Sequence, residues 1–410
     1  MMKVYEDTEL TPIKVAKMSG YIDWSSQPSS FKHYPNFLFR YKYEENQLLR
    51  AVELCRIITS RTSIGVKPYY QLNTPSAGNL HPVELYVQIR GVKGILSGIY
   101  HVDAGASEIV LIKEIGYAGI EPYVGLNKQL TGMIFLVSCV PYRAQWKYFK
   151  RSMRYCYLDV GHQIGSIFSS MKLHRQNRTI LSDFDIGTLN NFMGFKGEEF
   201  ITAVFSSGKS RDSNVEKFKE KLMYVTPTDY SELYEYLAEN ISTNEILKSD
   251  VSGSTANLKE VNILNRRSTR YFSADGLSKI KINYILECIN IVNYSIYCYN
   301  IILKDTYKKA GIYIGNTLLK EGYFADKISA LLVDQSFVKN GDIITIITSK
   351  HFSANKLMQA GAFAHNLYME AEVQNIGFSG IGAFYDKKLQ DFLAIDDYIL
   401  YVCVTGEEQK

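Results

Sequence analysis

The chain has 410 residues, a length that predicts two or three domains rather than one. Hydrophobic residues make up 46% and charged residues 21%, as in globular proteins with a sizeable core, and a net charge of +4 is too small to indicate a nucleic-acid partner. The 6 cysteines are scattered without CxxC spacing, so we expect neither a disulfide framework nor a metal site.

The N-terminus and the apolar runs predict a cytoplasmic protein. The opening MMKVYEDTEL lacks the apolar core of a signal peptide. The longest apolar stretches, such as GMIFLVSCV, are far shorter than the ~20 residues that a membrane span needs. We therefore expect no membrane partner.

Three elements can be predicted in the first half of the chain. Residues 83–90 alternate in polarity and contain β-branched side chains, which predicts a strand. Residues 131–140 form a continuous apolar run, which favours a buried strand. From Arg154 to His174 the apolar residues recur at helical spacing, which predicts a long helix.

The second half repeats this pattern. A second helix is predicted over 356–374, and identical residues recur at a constant offset of 200: Gly161 with Gly361, Phe184 with Phe384, Leu189 with Leu389, and Phe192 with Phe392. Because the matches keep the same order, they predict an internal duplication.

A polar segment separates the two halves. It begins with the charged stretch KSRDSNVEKFKEK, includes a predicted helix at 229–248, and ends in SDVSGSTAN, a composition typical of an exposed linker. We predict a first domain over 1–225, a linker over 226–257 and a second domain over 258–410.

The segment 74–82, TPSAGNLHP, lies directly before the strand at 83. Its small residues would let backbone N–H groups approach a ligand, and Gly78 permits a positive φ. On these grounds alone, an ordinary loop leading into a strand explains the segment equally well.

Two further segments carry chemically useful side chains. Residues 265–270, NRRSTR, place three guanidinium groups and a hydroxyl close together, a set that suits a phosphate, although a solvated basic turn has the same composition. Lys147 and Tyr148 are adjacent and could transfer protons if their surroundings shift their pKa values, although such pairs are common.

The order of these motifs resembles that of the SagB/ThcOx-type dehydrogenases of the nitroreductase superfamily, in a tandem two-domain form. The first half is similar to that family through WSSQPSSFKHYP (24–35), PSAGNLHPVELYV (75–87), SGIYHVD (97–103) and WKYFKRSMRYCYLDVGHQ (146–163). The second half is similar through RRSTRYF (266–272) and GAFAHNLYMEAEVQNIGFSGIGAF (361–384). The resemblance covers nearly the whole chain outside the linker.

The resemblance implies an α+β fold of two nitroreductase-like domains, each a mostly antiparallel sheet flanked by helices. Family members usually form dimers that bind FMN at the dimer interface. In this chain RRSTR occurs only in the second half, where the first has FKHYPNF, and PSAGNLHP occurs only in the first half, where the second has NIVNYSIY. We therefore expect an intramolecular pseudo-dimer, acting as a monomer, with one FMN between its domains.

The resemblance also implies roles for individual residues. The expected phosphate or ribityl ligands are Arg266, Arg267, Ser268 and Arg270, and Arg267 has the weakest case. The expected flavin-lining residues are Pro75, Ser76, Ala77, Gly78 and Asn79 on one side and Gly380, Ile381 and Gly382 near the isoalloxazine edge. Lys147 and Tyr148 match the pair that acts in proton removal in azoline-oxidising members.

The chain departs from the family pattern in two places. Relatives often carry a basic residue soon after the last strand, whereas this chain has Glu407 and Glu408 there, and Lys410 is the nearest candidate for phosphate support. An inward acidic pair would weaken phosphate binding. The second half also lacks a Lys-Tyr pair.

Three functions follow as hypotheses. The first is FMN-dependent two-electron dehydrogenation of a heterocycle, azoline to azole, in a peptide-derived natural product. The second is NAD(P)H-dependent reduction of a nitroaromatic, quinone or enone. The third is a flavin-free tandem domain that binds a peptide or another partner. In the first two cases the partner is a small-molecule or peptide substrate.

Overall fold

The computed structural model describes residues 2–18, 20, 22–64, 67–226, 247, 257–290, 296–305 and 308–409. The chain forms two compact units: a central unit, Asp23–Asp250, and a terminal unit, Met1–Ile22 together with Val251–Lys410. Apart from residue 247, the predicted helix at 229–248 lies outside the described residues, as do most of the predicted linker at 226–257 and Lys410.

The two N-terminal helices, α1 (Met2–Thr8) and α2 (Pro12–Met18), belong to the terminal unit. The ring of Tyr5 packs edge-on against Phe352 and Tyr398, with centroid distances of 5.0 and 4.7 Å. The Leu10 amide donates to the Asp386 carboxylate at 3.0 Å. Residues 1–22 therefore group with the second half of the chain, whereas the sequence prediction began the first domain at residue 1.

The central unit contains a large antiparallel sheet and a separate hairpin. Its elements are β1 (Arg40–Lys42), α3 (Gln47–Glu53), β2 (Ile58–Ile64), β3 (Lys67–Leu72), β4 (Val83–Arg90), β5 (Gly98–Asp103), β6 (Glu108–Glu114), β7 (Lys128–Cys139), α4 (Tyr142–Tyr148), α5 (Ser152–Leu173), β8 (Thr179–Ile180), α6 (Ile186–Phe192) and β9 (Phe200–Asn214). The sheet has the order β1-β6-β5-β4-β7-β9-β8, and β2 pairs with β3 alone. The predicted strand at 83–90 is β4, and the predicted helix at 154–174 is α5 with its start two residues earlier.

The terminal unit has a second antiparallel sheet. Its further elements are α7 (Glu260–Asn265), α8 (Lys279–Asn290), β10 (Tyr297–Ile302), β11 (Gly311–Ile314), β12 (Thr317–Glu321), α9 (Ala325–Leu331), β13 (Ile343–Ser349), α10 (Ala354–Val373), β14 (Gly377–Ile381), α11 (Asp386–Leu393) and β15 (Tyr398–Gly406). The sheet has the order β12-β11-β10-β13-β15-β14. Its strand β13, IITIITS, is buried throughout, as expected for a run of β-branched residues in the middle of a sheet.

The two sheets share one strand order. Without the edge strand β1, the central sheet runs β6-β5-β4-β7-β9-β8, and its strands correspond one by one to β12-β11-β10-β13-β15-β14. The long helices α5 and α10 follow the corresponding strands β7 and β13 and contain Gly161 and Gly361. This agreement supports the repeat predicted from the sequence, and it confirms the predicted α+β fold of antiparallel sheets flanked by helices.

Helices α5 and α10 are buried over most of their surface. A helix that is buried nearly all round can carry functional polar groups into the interior, because side chains on several of its faces are shielded from water. In the described residues, no helix combines the length and the apolar character that a membrane crossing requires.

Candidate functional site

The loop at 74–82 is an ordered turn between β3 and β4. Gly78, Asn79 and His81 have φ values of +62°, +60° and +49°, in the left-handed region. The Asn79 side-chain amide donates to the Tyr70 carbonyl at 2.7 Å, and the His81 amide donates to the Ser76 hydroxyl oxygen at 3.0 Å. These bonds fix the unusual backbone and tie the loop to the hairpin.

Asp159 of α5 lies beneath this loop. Its carboxylate accepts a hydrogen bond from the Ser76 hydroxyl at 2.6 Å and a longer one from the Ala77 amide at 3.4 Å. Burial raises the pKa of Asp159 to about 7, although both hydrogen bonds oppose this shift. Sequence reasoning did not single out Asp159; the available signal was a carboxylate within the apolar face of a predicted helix.

The structure brings the predicted Tyr148 to the predicted loop. A Cβ added at Gly78 would lie 2.5 Å from the Tyr148 hydroxyl oxygen, so the phenol occupies the space that a side chain would need. The Tyr148 ring meets Tyr155 edge-on at 4.9 Å. Burial, together with the neighbouring Tyr155 and Asp159, raises the pKa of Tyr148 above its usual range, so its hydroxyl stays protonated.

Lys147 lies among aromatic rings. Its Nζ is 4.9 Å from the ring centroid of Trp24 and 5.4 Å from that of Tyr148. Trp24 packs edge-on against Trp146 at 5.6 Å, and the Trp146 indole donates to the Ser26 hydroxyl at 2.9 Å. The 2 tryptophans of the chain therefore lie together, with Trp24 against the Lys147 ammonium and Trp146 against Trp24. Burial lowers the pKa of Lys147, which increases its neutral fraction.

A buried ion network fixes the end of the loop. Glu84, at the start of β4, forms an ion pair with Arg143 at 2.7 Å and a hydrogen bond with His101 at 3.0 Å. Arg143 also donates to the His81 carbonyl at 3.0 Å. Burial alone would raise the pKa of Glu84, but the Arg143 cation and the His101 bond hold it well below its usual range. The loop is therefore anchored at its end as well as at Ser76.

In the first half, the segment FKHYPNF stands where the second half has RRSTR, and its lysine is sequestered. The Lys32 ammonium lies 2.8 Å from Glu199, and both side chains are fully buried. It also donates to the Tyr86 hydroxyl at 2.9 Å. A cation held in this way is unsuited to an exchangeable phosphate.

The RRSTR segment of the terminal unit runs beside β14. The Thr269 amide donates to the Phe378 carbonyl at 3.0 Å. The hydroxyls of Ser268 and Tyr368 are 2.7 Å apart, and the Gly380 amide donates to the Tyr368 hydroxyl at 2.8 Å. Two predicted sets, RRSTR and Gly380–Gly382, therefore come together through Tyr368, a residue that sequence reasoning did not select.

The arginines of this segment have different surroundings. Arg266 is only 4% exposed, and its guanidinium lies 5.1 Å from the centroid of the Tyr368 ring. Burial lowers the pKa of Arg266. Arg270 is exposed, stacks 4.9 Å from the centroid of the Phe337 ring, and donates to the Ser379 hydroxyl.

The Arg267 side chain turns back toward the end of α7. Its Nη1 donates to the carbonyls of Leu264 and Arg266 at 3.1 and 2.8 Å. Its backbone amide lies 3.4 Å from a carboxylate oxygen of Glu372. These contacts make Arg267 the least suited of the three arginines to bind a phosphate.

The predicted set Gly380–Gly382 lies at the end of β14. A Cβ at Gly380 would clash with the Tyr401 hydroxyl, so the position accepts only glycine without rearrangement. Ile381 is buried in the core of the terminal unit, whereas Gly382 is partly exposed.

Glu407 and Glu408, the acidic pair after β15, have different partners. Glu407 forms an ion pair with Lys281 at 2.8 Å, whereas the exposed Glu408 accepts a weak hydrogen bond from the Thr269 hydroxyl at 3.5 Å. Glu408 therefore lies beside the RRSTR segment and Glu407 is neutralised elsewhere. Among the described residues, no cluster of three or more His, Cys, Asp or Glu side chains could hold a metal ion.

Comparison with known proteins identifies the fold. The Nitroreductase family model matches residues 304–407, within the terminal unit. A Methanocaldococcus jannaschii protein whose description classes it with the nitroreductases is 29% identical over 100 residues, which cover 23% of this chain and 49% of that protein. This match therefore spans about half the length of the curated relative.

Solved structures extend the likeness. A crystal structure from Anabaena variabilis, described as that of a nitroreductase, aligns with a TM-score of 0.81 at 20% identity and covers 100% of this chain and 99% of that chain. A Desulfovibrio desulfuricans protein of the same description, solved with FMN, aligns with a TM-score of 0.30 at 18% identity over 38% of this chain and 89% of that chain. The whole chain thus has the fold of the Anabaena protein, and its terminal unit carries a nitroreductase family match.

Proposed function

We propose that this protein is an FMN-dependent oxidoreductase that dehydrogenates an azoline ring in a peptide-derived product to the azole. The observation that carries the proposal is the contact between Tyr148 and Gly78. It joins the proton-transfer pair suggested by the resemblance to the loop that the same resemblance assigns to the flavin.

The donor sets of both units fit FMN. Arg266, Ser268 and Arg270 offer two cations and a hydroxyl, which match a phosphate and the ribityl oxygens. A buried guanidinium such as that of Arg266 attracts an anionic ligand more strongly than an exposed one, because water and salt screen a buried charge pair less. In the terminal unit the Gly380 and Gly382 backbone would face the flavin. In the central unit the resemblance assigns the flavin-lining role to Pro75, Ser76, Ala77, Gly78 and Asn79.

One FMN per chain is the expected stoichiometry. RRSTR and PSAGNLHP each occur once in the chain. The buried pair of Lys32 and Glu199 supports the loss of a twin site, since the lysine that stands in place of RRSTR is already neutralised.

The proposed chemistry needs a base and benefits from a fixed hydrogen-bond donor. When bound, FMN would supply the two-electron acceptor for the hydride that leaves the ring. Lys147, whose pKa burial lowers, would remove the accompanying proton. Tyr148 keeps its proton and would hold the ring by a hydrogen bond, with its hydroxyl positioned at Gly78.

A reductive function is the second candidate. The match of residues 304–407 to the Nitroreductase family model supports an NAD(P)H-dependent reduction of a nitroaromatic, quinone or enone. In that case the protonated Tyr148 would serve as a proton donor. Rapid bleaching of the bound flavin by NAD(P)H, without turnover of azoline peptides, would favour it.

The first experiment is the visible spectrum of the purified protein with quantification of released flavin. We expect about one FMN per chain, and weaker binding in Arg266→Ala and Asn79→Ala. Arg61→Ala, on the β2–β3 hairpin, is the matched control. A protein that stays colourless after reconstitution would overturn the proposal and support a partner-binding role.

The second experiment tests the reaction. With an azoline-containing peptide and an electron acceptor, Lys147→Gln should lose turnover by about a hundredfold or more while FMN stays bound, in line with the usual contribution of a general base. The exposed Lys113 offers the control substitution, Lys113→Gln. Full turnover in Lys147→Gln would remove the assigned base.

A further inference from the structure

The buried carboxylate of Asp159 accepts two hydrogen bonds, and both come from the 74–82 loop. It is 6% exposed, and its hydrogen-bond donors are the Ser76 hydroxyl and the Ala77 amide. Ser76 in turn accepts from the His81 amide at 3.0 Å, so one hydroxyl links the carboxylate to both ends of the turn. Between these contacts lies Gly78, the residue that faces Tyr148.

No cation forms an ion pair with Asp159 within the described ranges. The titratable groups that sense its charge are Tyr148 from α4 and Cys156 from α5. Burial raises the pKa of Tyr148, and a hydrogen bond with Cys139 together with burial raises the pKa of Cys156, so both stay neutral. A buried carboxylate without a cation is costly when ionised and inexpensive when protonated. Because Asp159 holds the 74–82 loop, the stability of that loop should depend on whether Asp159 is protonated.

We propose that Asp159 is the positioning residue of the 74–82 loop: it holds the loop closed through Ser76 and Ala77, and ionisation of its carboxyl group loosens the loop. The effect on the loop is independent of any ligand. Its consequence for catalysis rests on the proposed function, because only there does the loop line a flavin and position Tyr148.

The sign of the effect follows from linkage. Burial raises the pKa of Asp159 to about 7 in the closed loop, whereas opening would expose the carboxyl group to water and restore its ordinary pKa. The closed loop therefore binds the proton more tightly than the open one. The opening equilibrium should rise about tenfold per pH unit between roughly pH 4 and pH 7 and level off above that.

Hydrogen exchange of peptides that cover residues 74–82 tests this directly in the full chain. After correction for intrinsic exchange, we expect protection in the wild type to fall about tenfold per unit from roughly pH 5 to pH 7 and then to stay constant. Asp159→Asn, which mimics the protonated carboxyl, should keep high protection at every pH. Asp159→Ala should show low protection at every pH.

Two further variants keep the test decisive. Ser76→Ala retains the carboxylate and should loosen the loop even if Asp159→Ala fails to fold. Ser169→Ala is the control from the same helix, since its hydroxyl donates to the Gly165 carbonyl of that helix at 2.9 Å. Wild-type protection that does not vary with pH, or Asp159→Ala and Ser76→Ala loops as protected as the wild type, would overturn the proposal.

Turnover measurements connect the effect of Asp159 on the loop to the proposed function. In the flavin-loaded protein, Asp159→Asn should flatten the limb of the kcat/KM profile near neutral pH, and Asp159→Ala should weaken FMN binding more than Asp159→Asn does. Failure to bind FMN would overturn the proposed function and leave the exchange result intact. A pH-independent loop in a working flavoenzyme would overturn only the role of Asp159.

Discussion

The Tyr148 hydroxyl lies where Gly78 would carry its side chain, and this contact constrains both residues. An added Cβ would be 2.5 Å from the hydroxyl oxygen and 3.2 Å from two ring carbons. The φ of +62° at Gly78 separately disfavours any other residue. Backbone geometry and side-chain packing therefore require glycine at the same position.

Gly78→Ala should lower the free energy of unfolding by about 1–2 kcal/mol, because the left-handed backbone becomes strained and Tyr148 must move. Urea unfolding measures the change. Gly116→Ala is the matched control, since a Cβ added at Gly116 would meet no atom within 4 Å. In a Tyr148→Phe background the cost should be smaller, and equal costs in the two backgrounds would show that the hydroxyl contact is unimportant.

The ring face of Trp24 should stabilise the protonated form of Lys147. Trp24→Leu removes a cation–π contact, which stabilises the ammonium by about 0.5–2 kcal/mol. The pKa of Lys147 should therefore fall further, and the acidic limb of the pH–rate profile should move to lower pH, with a larger effect on kcat than on KM. Trp24→Phe keeps an aromatic face, so its pH–rate profile should stay close to that of the wild type. If the acidic limb of the Trp24→Leu profile did not move, Trp24 would not stabilise the Lys147 ammonium.

Strand β4 and helix α5 could be predicted because the sequence patterns that indicate them span only a few neighbouring residues. The alternation of residues 83–90 and the helical spacing after Arg154 each depend on neighbours within a few positions, and both elements appear where expected. The offset of 200 between Phe184 and Phe384 could be found because the repeat preserves order, and both lie directly before matching helices.

The contacts of the candidate site could not be predicted in the same way, because they join distant residues. Asp159 is 83 positions from Ser76, and Glu199 is 167 positions from Lys32. Glu199 carries no local mark that separates it from solvent-exposed acids, and Asp159 is marked only by its place within the apolar face of a predicted helix. Only the fold places them in the interior, where burial raises the pKa of Asp159 and makes the Lys32 partner of Glu199 essential.

Removing one charge of the buried Lys32–Glu199 pair should destabilise the fold more than removing both. Glu199→Gln leaves the Lys32 ammonium buried without its counter-charge, which should cost about 3–5 kcal/mol in the free energy of unfolding. The double variant Lys32→Met with Glu199→Gln removes both charges and should recover a large part of that loss. Urea unfolding of the single and double variants gives the comparison, and costs that simply add would show that the charges do not interact.

Glu408 should weaken anion binding at the RRSTR segment. It is exposed and lies 3.5 Å from the Thr269 hydroxyl, so its charge would oppose the phosphate that the neighbouring arginines are proposed to bind. Glu408→Gln should tighten FMN binding about twofold to fivefold, the range expected for one exposed charge interaction. The gain should shrink as ionic strength rises, because salt screens exposed charges.

Glu407→Gln provides the matched control for this prediction, because the Glu407 carboxylate pairs with Lys281 instead. It should change FMN affinity less than Glu408→Gln does. Titration of the apoprotein with FMN, followed by flavin fluorescence at low and high salt, compares the two. If Glu407→Gln tightened binding more, the acidic side chain that opposes the phosphate would be Glu407, and its ion pair with Lys281 would not hold in solution.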